Sequence, residues 1–156
     1  MLLINIKDIK NYTTRLFVED VYDDYLFVEG TVTTFSTFSI SGRTNMDYYS
    51  EDEKKNVEKY ARWGQLRPIF FDIIKGKKLP LGFKLVFMAA PSLTSDIGAD
   101  PLCDSFFANI KYNGSTISIT TGTSSNVFSL DKTSQNLWDK YVCDFLTKSS
   151  IDYEII

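Results

Sequence analysis

The chain has 156 residues, 17 Lys and Arg against 20 Asp and Glu, no His, and a formal net charge of −3. The lack of histidine excludes Ser-His-Asp and Cys-His catalysis, histidine metal ligation and an imidazole proton shuttle. Apolar residues make up 44% and charged residues 24%, ordinary for a globular chain. The length fits one domain over 1–156 with a core large enough to need no disulfide or metal.

Taken in chain order, Leu2 to Ile6 predicts a short strand, and Asp8 caps a helix with Ile9, Tyr12, Leu16 and Phe17 on one face. The apolar run at the N-terminus is too short for a signal-peptide core, and no stretch approaches the ~18 apolar residues of a membrane span. A cytoplasmic protein without membrane contact is therefore expected. Glu19 to Asp24 is a polar connection. Tyr25 to Phe35 alternates as a strand, with Leu26, Val28 and Val32 on one side and Phe27, Glu29, Thr31 and Thr33 on the other. Thr37 to Arg43 continues in that style, and Ser41-Gly42 marks a turn or bulge.

Ser50-Glu51-Asp52-Glu53 is a capping box that predicts a helix to about Trp63, broken by Gly64. Pro68 then suits the first turn of a second helix, apolar nearly all round through Ile69, Phe70, Phe71, Ile73 and Ile74, and so expected to be buried. Lys75-Gly76-Lys77-Lys78 ends it. Gly82 to Ala90 is a strand with Phe83, Leu85 and Phe87 on one face; Pro91 to Asp104 reads as a long irregular loop. Phe106 to Tyr112 and Ser115 to Thr121 are strands joined by the hairpin signal Asn113-Gly114, with a further strand over residues 126–130. Asp131 or Thr133 caps a last helix carrying Leu137, Trp138, Tyr141, Val142, Phe145 and Leu146, and Tyr153 to Ile156 adds a terminal strand.

This order predicts an α+β fold: a mostly antiparallel sheet of about six to eight strands, with helices packed mainly on one face. Thr31, Thr33, Ser118 and Thr120 leave part of the other face wet. Cys103 and Cys143 form no C-x-x-C pair and read as small buried hydrophobes.

Charge distribution carries the most information about function. From Lys54 to Lys84 there are nine cations against Glu58 and Asp72, a segment of +7 on a remainder of −10. Such an island is the footprint of an anion-binding surface, set against the simpler reading of solvated faces and a helix end complemented by Lys75, Lys77 and Lys78. The residues expected to contact the anion are Arg43, Arg62, Arg67, Lys75, Lys77 and Lys78, and the partner is an acidic protein or a phosphate-bearing ligand. Arg62 and Arg67 flank Trp63, an interleaving also found in single-strand nucleic-acid grooves. The acidic pI and the absence of an RNP-like or Gly-x-x-Gly motif count against nucleic acid, and Trp63 reads better as core.

No metal and no cofactor is expected. Glu19, Asp20, Asp23 and Asp24 lack calcium-loop spacing and read as a solvated acidic turn, or as a partner for the basic island of another copy. Thr120 to Asn126 is a hydroxyl-rich turn without the lysine of a P-loop.

Thr33-Thr34-Phe35-Ser36-Thr37-Phe38, Leu66-Arg67-Pro68 with Lys75-Gly76, and Thr121-Gly122-Thr123-Ser124 together resemble an uncharacterised family from anaerobic Firmicutes, a domain of unknown function. The resemblance covers essentially the whole chain. It implies a complete single-domain bacterial protein and no particular activity. The expected role is a non-enzymatic binding or adaptor domain. The alternatives are a histidine-free enzyme with a cleft near 91–104, or a protein that self-associates through Tyr153–Ile156.

Overall fold

The computed structural model describes residues 1–127 and 130–156. Its strands are β1 (Leu3–Ile6), β2 (Leu26–Thr33), β3 (Thr37–Ser41), β4 (Gly82–Met88), β5 (Asp104–Tyr112), β6 (Ile117–Ser125) and β7 (Tyr153–Ile155). Its helices are α1 (Ile9–Phe17), α2 (Trp63–Ile74), α3 (Pro91–Ile97) and α4 (Thr133–Lys148). The strands form one antiparallel sheet in the order β3-β2-β4-β5-β6-β1-β7. The predicted α+β architecture is the observed one.

The helices cover one face, and aromatic side chains join them to the sheet. Trp63 and Phe70 of α2 meet Phe27 and Phe87, Phe17 of α1 meets Phe83, and Trp138 of α4 stacks on Phe106. The two indoles are anchored at their polar ends: Trp63 Nε1 donates to the Leu16 carbonyl at 2.9 Å and Trp138 Nε1 to that of Phe107 at 2.8 Å. A buried indole N–H needs such a partner, so these bonds fix how α2 and α4 sit. No helix among the described residues is long and apolar enough to cross a membrane.

Several local expectations fail for physical reasons. The capping box forms, with Glu53 N and the Ser50 hydroxyl 3.2 Å apart, but only a 3-10 turn over Glu53–Asn56 follows. Residues 54–59 carry one apolar side chain, Val57, so a helix there has no stripe to bury. Helix α2 instead begins at Trp63, and Pro68 lies inside it rather than in its first turn. Burial of α2 is one-sided: Trp63 and Phe70 are buried, while Ile69 and Phe71 are exposed, because a single helical layer leaves its outer side to solvent. The stretch expected as a loop after Pro91 contains α3, with Pro at its start and Gly98 in the left-handed region (φ +105°) at its end. Thr120 to Ser125 belongs to β6 rather than to a turn, and the Thr121 hydroxyl is 2.6 Å from Asp139 Oδ1. The strand expected over 126–130 falls partly outside the described residues; Asn126 and Val127 are not in a strand.

The largest departure sits at the start of β2. A bulge lies between Phe27 and Glu29, so Phe27 opposes Phe87 on the helical side while Glu29 opposes Val86 on the other. The simple alternation read from the sequence put Phe27 on the wrong side; it is fully buried. Beyond the bulge, residues 59–62 slot between β2 and the continuation of β3. Phe27 N donates to Ala61 O at 2.8 Å, Trp63 N to Tyr25 O at 2.9 Å, Ala61 N to Gly42 O at 2.8 Å and Thr44 N to Lys59 O at 3.0 Å. These backbone bonds draw residues 59–62 out of any helix.

Candidate anion-binding site

The inserted strip determines where the predicted cations go. Isolated bridges pair Arg43 with Tyr60 and Arg62 with Leu26, so that Tyr60 and Arg62, two residues apart on the inserted strip, share one side of it. Arg43 and Arg62 thereby line one cavity of about 430 Å³, together with Tyr48, Tyr49, Tyr60 and Glu58. The Arg43 guanidinium lies over the Tyr60 ring, 5.8 Å from its centroid, and the Lys59 ammonium is 5.6 Å from the same centroid. No carboxylate pairs with Arg43 or Lys59 among the described residues.

The other arginines have different surroundings. Arg67 holds Asp23 in a two-pronged pair, Nε to Oδ1 at 2.8 Å and Nη2 to Oδ2 at 3.0 Å, and Nη1 donates to the Val18 carbonyl at 3.1 Å. The hydrogen bonds to Asp23 raise the Arg67 pKa above its ordinary value. Arg62 donates from Nε to Glu58 at 2.6 Å and lies 3.7 Å from Asp24. The acidic turn at 19–24 is thus not a free solvated loop: Asp23 and Asp24 lie against the two arginines of the basic island. Lys75 pairs with Asp72 at 3.0 Å, and Lys77 and Lys78 are exposed in the connection that follows α2. Of the six expected contacts, Arg43 and Arg62 are brought together at the cavity. Arg67 faces the acidic turn, and the three lysines sit at the far end of α2.

Sequence reasoning missed the tyrosines of the cavity. Their signal was the group Tyr48, Tyr49 and Tyr60, of which the first two precede the capping box and the third lies within the helix expected after it.

A second cavity, of about 400 Å³, lies beside α3 and is lined by Asp24, Tyr25, Arg62, Ser92, Asp96 and Tyr141. Burial, with Tyr141 adding to it, pushes the Tyr25 phenol far up, so it stays protonated there and suits hydrogen bonding rather than base catalysis. Both cysteines are unpaired and half-buried rather than fully buried. Cys103 Sγ lies 3.5 Å from Asp100 Oδ2, and that contact raises its pKa, away from the reactive thiolate. Among the described residues no three Cys, Asp or Glu side chains gather to hold a metal ion.

Comparison with known proteins matches residues 15–154 to one family model, Family of unknown function (DUF5721). No curated protein and no solved structure matches the chain. The chain belongs to that family, which bears out the resemblance to a domain of unknown function; the match says nothing of the source organism.

Proposed function

We propose that this member of the family is a binding domain whose cavity between β3, residues 45–58 and the start of α2 takes a phosphate-bearing ligand. One observation carries the reading: Arg43 is an exposed guanidinium at a tyrosine-lined cavity, and among the described residues no carboxylate pairs with it. Stacking on Tyr60 holds one face of the guanidinium and leaves its N–H edge free for a bidentate oxyanion. Arg62 adds a second guanidinium, already engaged by Glu58, which orients it. Tyr48 and Tyr49 offer rings and hydroxyls for the rest of the ligand. The wider basic island supports this reading less, because Arg67 serves the fold.

Calorimetric titration with AMP and with adenosine tests the reading. AMP binds, adenosine binds at least tenfold more weakly, and Arg43→Gln lowers AMP affinity about tenfold, as expected for one charge-assisted pair. Equal binding of AMP and adenosine, or an Arg43→Gln protein that binds AMP like the native one, overturns it.

A further inference from the structure

We infer that the uncovered face of the sheet is a docking surface for single-stranded nucleic acid, with the Arg43 cavity at one end of its track. The inference rests on the phosphate reading and adds the polymer. There is no Asp or Glu between Glu29 and Asp47, between Asp72 and Asp96, or between Asp104 and Asp131. Those three stretches hold β3, β4, β6, half of β2 and most of β5. The strands carry Lys84 and Lys111 against Glu29, Asp104 and Glu154; the two lysines stand on the central strands β4 and β5, while Asp104 begins β5 and Glu154 lies on the outermost strand.

Lys84 and Lys111 stand directly opposite each other at the centre of the bare face. Like charges at that register repel. Neither lysine has a carboxylate partner among the described residues, so a bound anion relieves the repulsion. The same row continues through Thr31 and Ser39 on one side and Ser118 and Asn5 on the other, all polar and none charged. Glu154 ends that row on the outermost strand, where Asn5 Nδ2 donates to it at 3.2 Å. Glu29, an acid near the centre of the face, lies diagonal to Lys84.

Two features favour a nucleic acid over an acidic peptide. First, the track is continuous. A cavity of about 490 Å³ on this face, lined by Lys84, Thr31, Ser39 and Ser41 with Glu29 at its wall, shares Ser41 with the Arg43 cavity. From Lys111 to Arg43 is about 20 Å across three strands and four residues, room for several nucleotides. Second, aromatic rings stand along it. Tyr48 is 84% exposed, Tyr60 carries Arg43, and Phe107 shares a row with Arg62, Leu26 and Met88. Opposite Phe107 on β6 is Gly122, so no side chain there competes for the ring. Unpaired bases stack on such rings, whereas a duplex hides its bases from a flat sheet.

The test is fluorescence anisotropy of a labelled uridine 12-mer with the full chain at about 50 and 200 mM salt. The expected result is binding that weakens steeply with salt. Lys84→Gln/Lys111→Gln lowers affinity about tenfold or more and reduces the salt slope by about 2, since each lost phosphate contact removes about 1. Phe107→Ala weakens binding about tenfold through lost stacking. Glu29→Gln tightens it, and Lys148→Gln on α4 leaves it unchanged. The thermal midpoint of the double lysine variant holds or rises, because a repulsive pair is removed, so its lost binding is not misfolding. The inference is overturned by a double variant that binds like the native chain, or by a polyglutamate of equal length that competes as well as the 12-mer. If AMP binds through Arg43 and the 12-mer binds no tighter than AMP, the sheet face fails alone; if neither binds, both readings fall.

Discussion

Gly42 is where the fold and the candidate site depend on one missing atom. A Cβ there would lie 1.7 Å from the Phe27 carbonyl oxygen and 2.7 Å from its carbon. The carbonyl would have to retreat by about 1.5–2 Å to reach ordinary contact distance. That movement breaks the bond from Gly42 N to Val28 O (2.9 Å) and the one from Ala61 N to Gly42 O (2.8 Å). Each lost bond costs about 1 kcal/mol, and the overpacking about 1–3 more. Gly42→Ala should therefore destabilise the protein by about 3–5 kcal/mol, a large share of the roughly 5–15 kcal/mol that holds such a chain folded. With a urea slope of about 2 kcal/mol/M, the unfolding midpoint falls by about 1.5–2.5 M. Residues 42–44 carry Arg43, so AMP affinity drops as well, even in dilute buffer where the variant is still folded. A midpoint within about 0.3 M of the native one would refute the claim that close strand approach at the bulge sets this region.

Arg67→Met removes three hydrogen bonds to Asp23 and Val18, and should cost about 2 kcal/mol in urea titrations while leaving AMP affinity unchanged; a selective loss of binding would return Arg67 to the site. Burial, the largest cause, raises the phenols of Tyr12, Tyr22 and Tyr25 above the ordinary value of about 10. Their contribution to stability is complete below pH about 10 and is lost as the pH climbs past it, because only the unfolded chain then releases those protons. Absorbance at 295 nm should show three tyrosines ionising together with the loss of far-UV circular dichroism, and ionisation of every tyrosine before unfolding contradicts this. Trp138→Phe deletes the bond to the Phe107 carbonyl and opens a void beside Phe106, for about 2–3 kcal/mol and a weakened near-UV signal; an unchanged unfolding midpoint would sink that reading.

Where local chemistry and tertiary packing agree, the structure follows the sequence. Asp8 caps α1, its carboxylate accepting from Asn11 N at 3.0 Å, and Tyr12, Leu16 and Phe17 are buried on one side. Asn113-Gly114 joins β5 to β6, and Phe83, Leu85 and Phe87 alternate inward. The largest misreadings lie between Tyr25 and Pro68. There a capping box and a proline compete with long-range bonds from residues 59–62 to β2 and to residues 42–44. Two local hydrogen bonds and no apolar stripe cannot outweigh strand pairing on both sides together with an indole anchored in the core. The same insertion hid the cavity, because nothing in the spacing of Arg43, Tyr60 and Arg62 says that they share one side of a sheet.

Net charge misleads here for a related reason. A value of −3 averages over faces that the fold keeps apart. The segment of +7 is also not a surface, since Asp23 and Asp24 cross from an earlier turn to meet its two arginines. An arginine gripped by both oxygens of a carboxylate has its N–H edge occupied, and a ligand would have to displace that partner. Arg67 is in that state, with both contacts within 3.0 Å. Arg43 has a tyrosine ring beneath it and, among the described residues, no carboxylate partner, which leaves the edge open. Lys84 and Lys111 go further, because they stand directly opposite each other and folding puts them at odds. Cations left unsatisfied by the fold are the ones available to a partner, and these three lie on one side of the sheet.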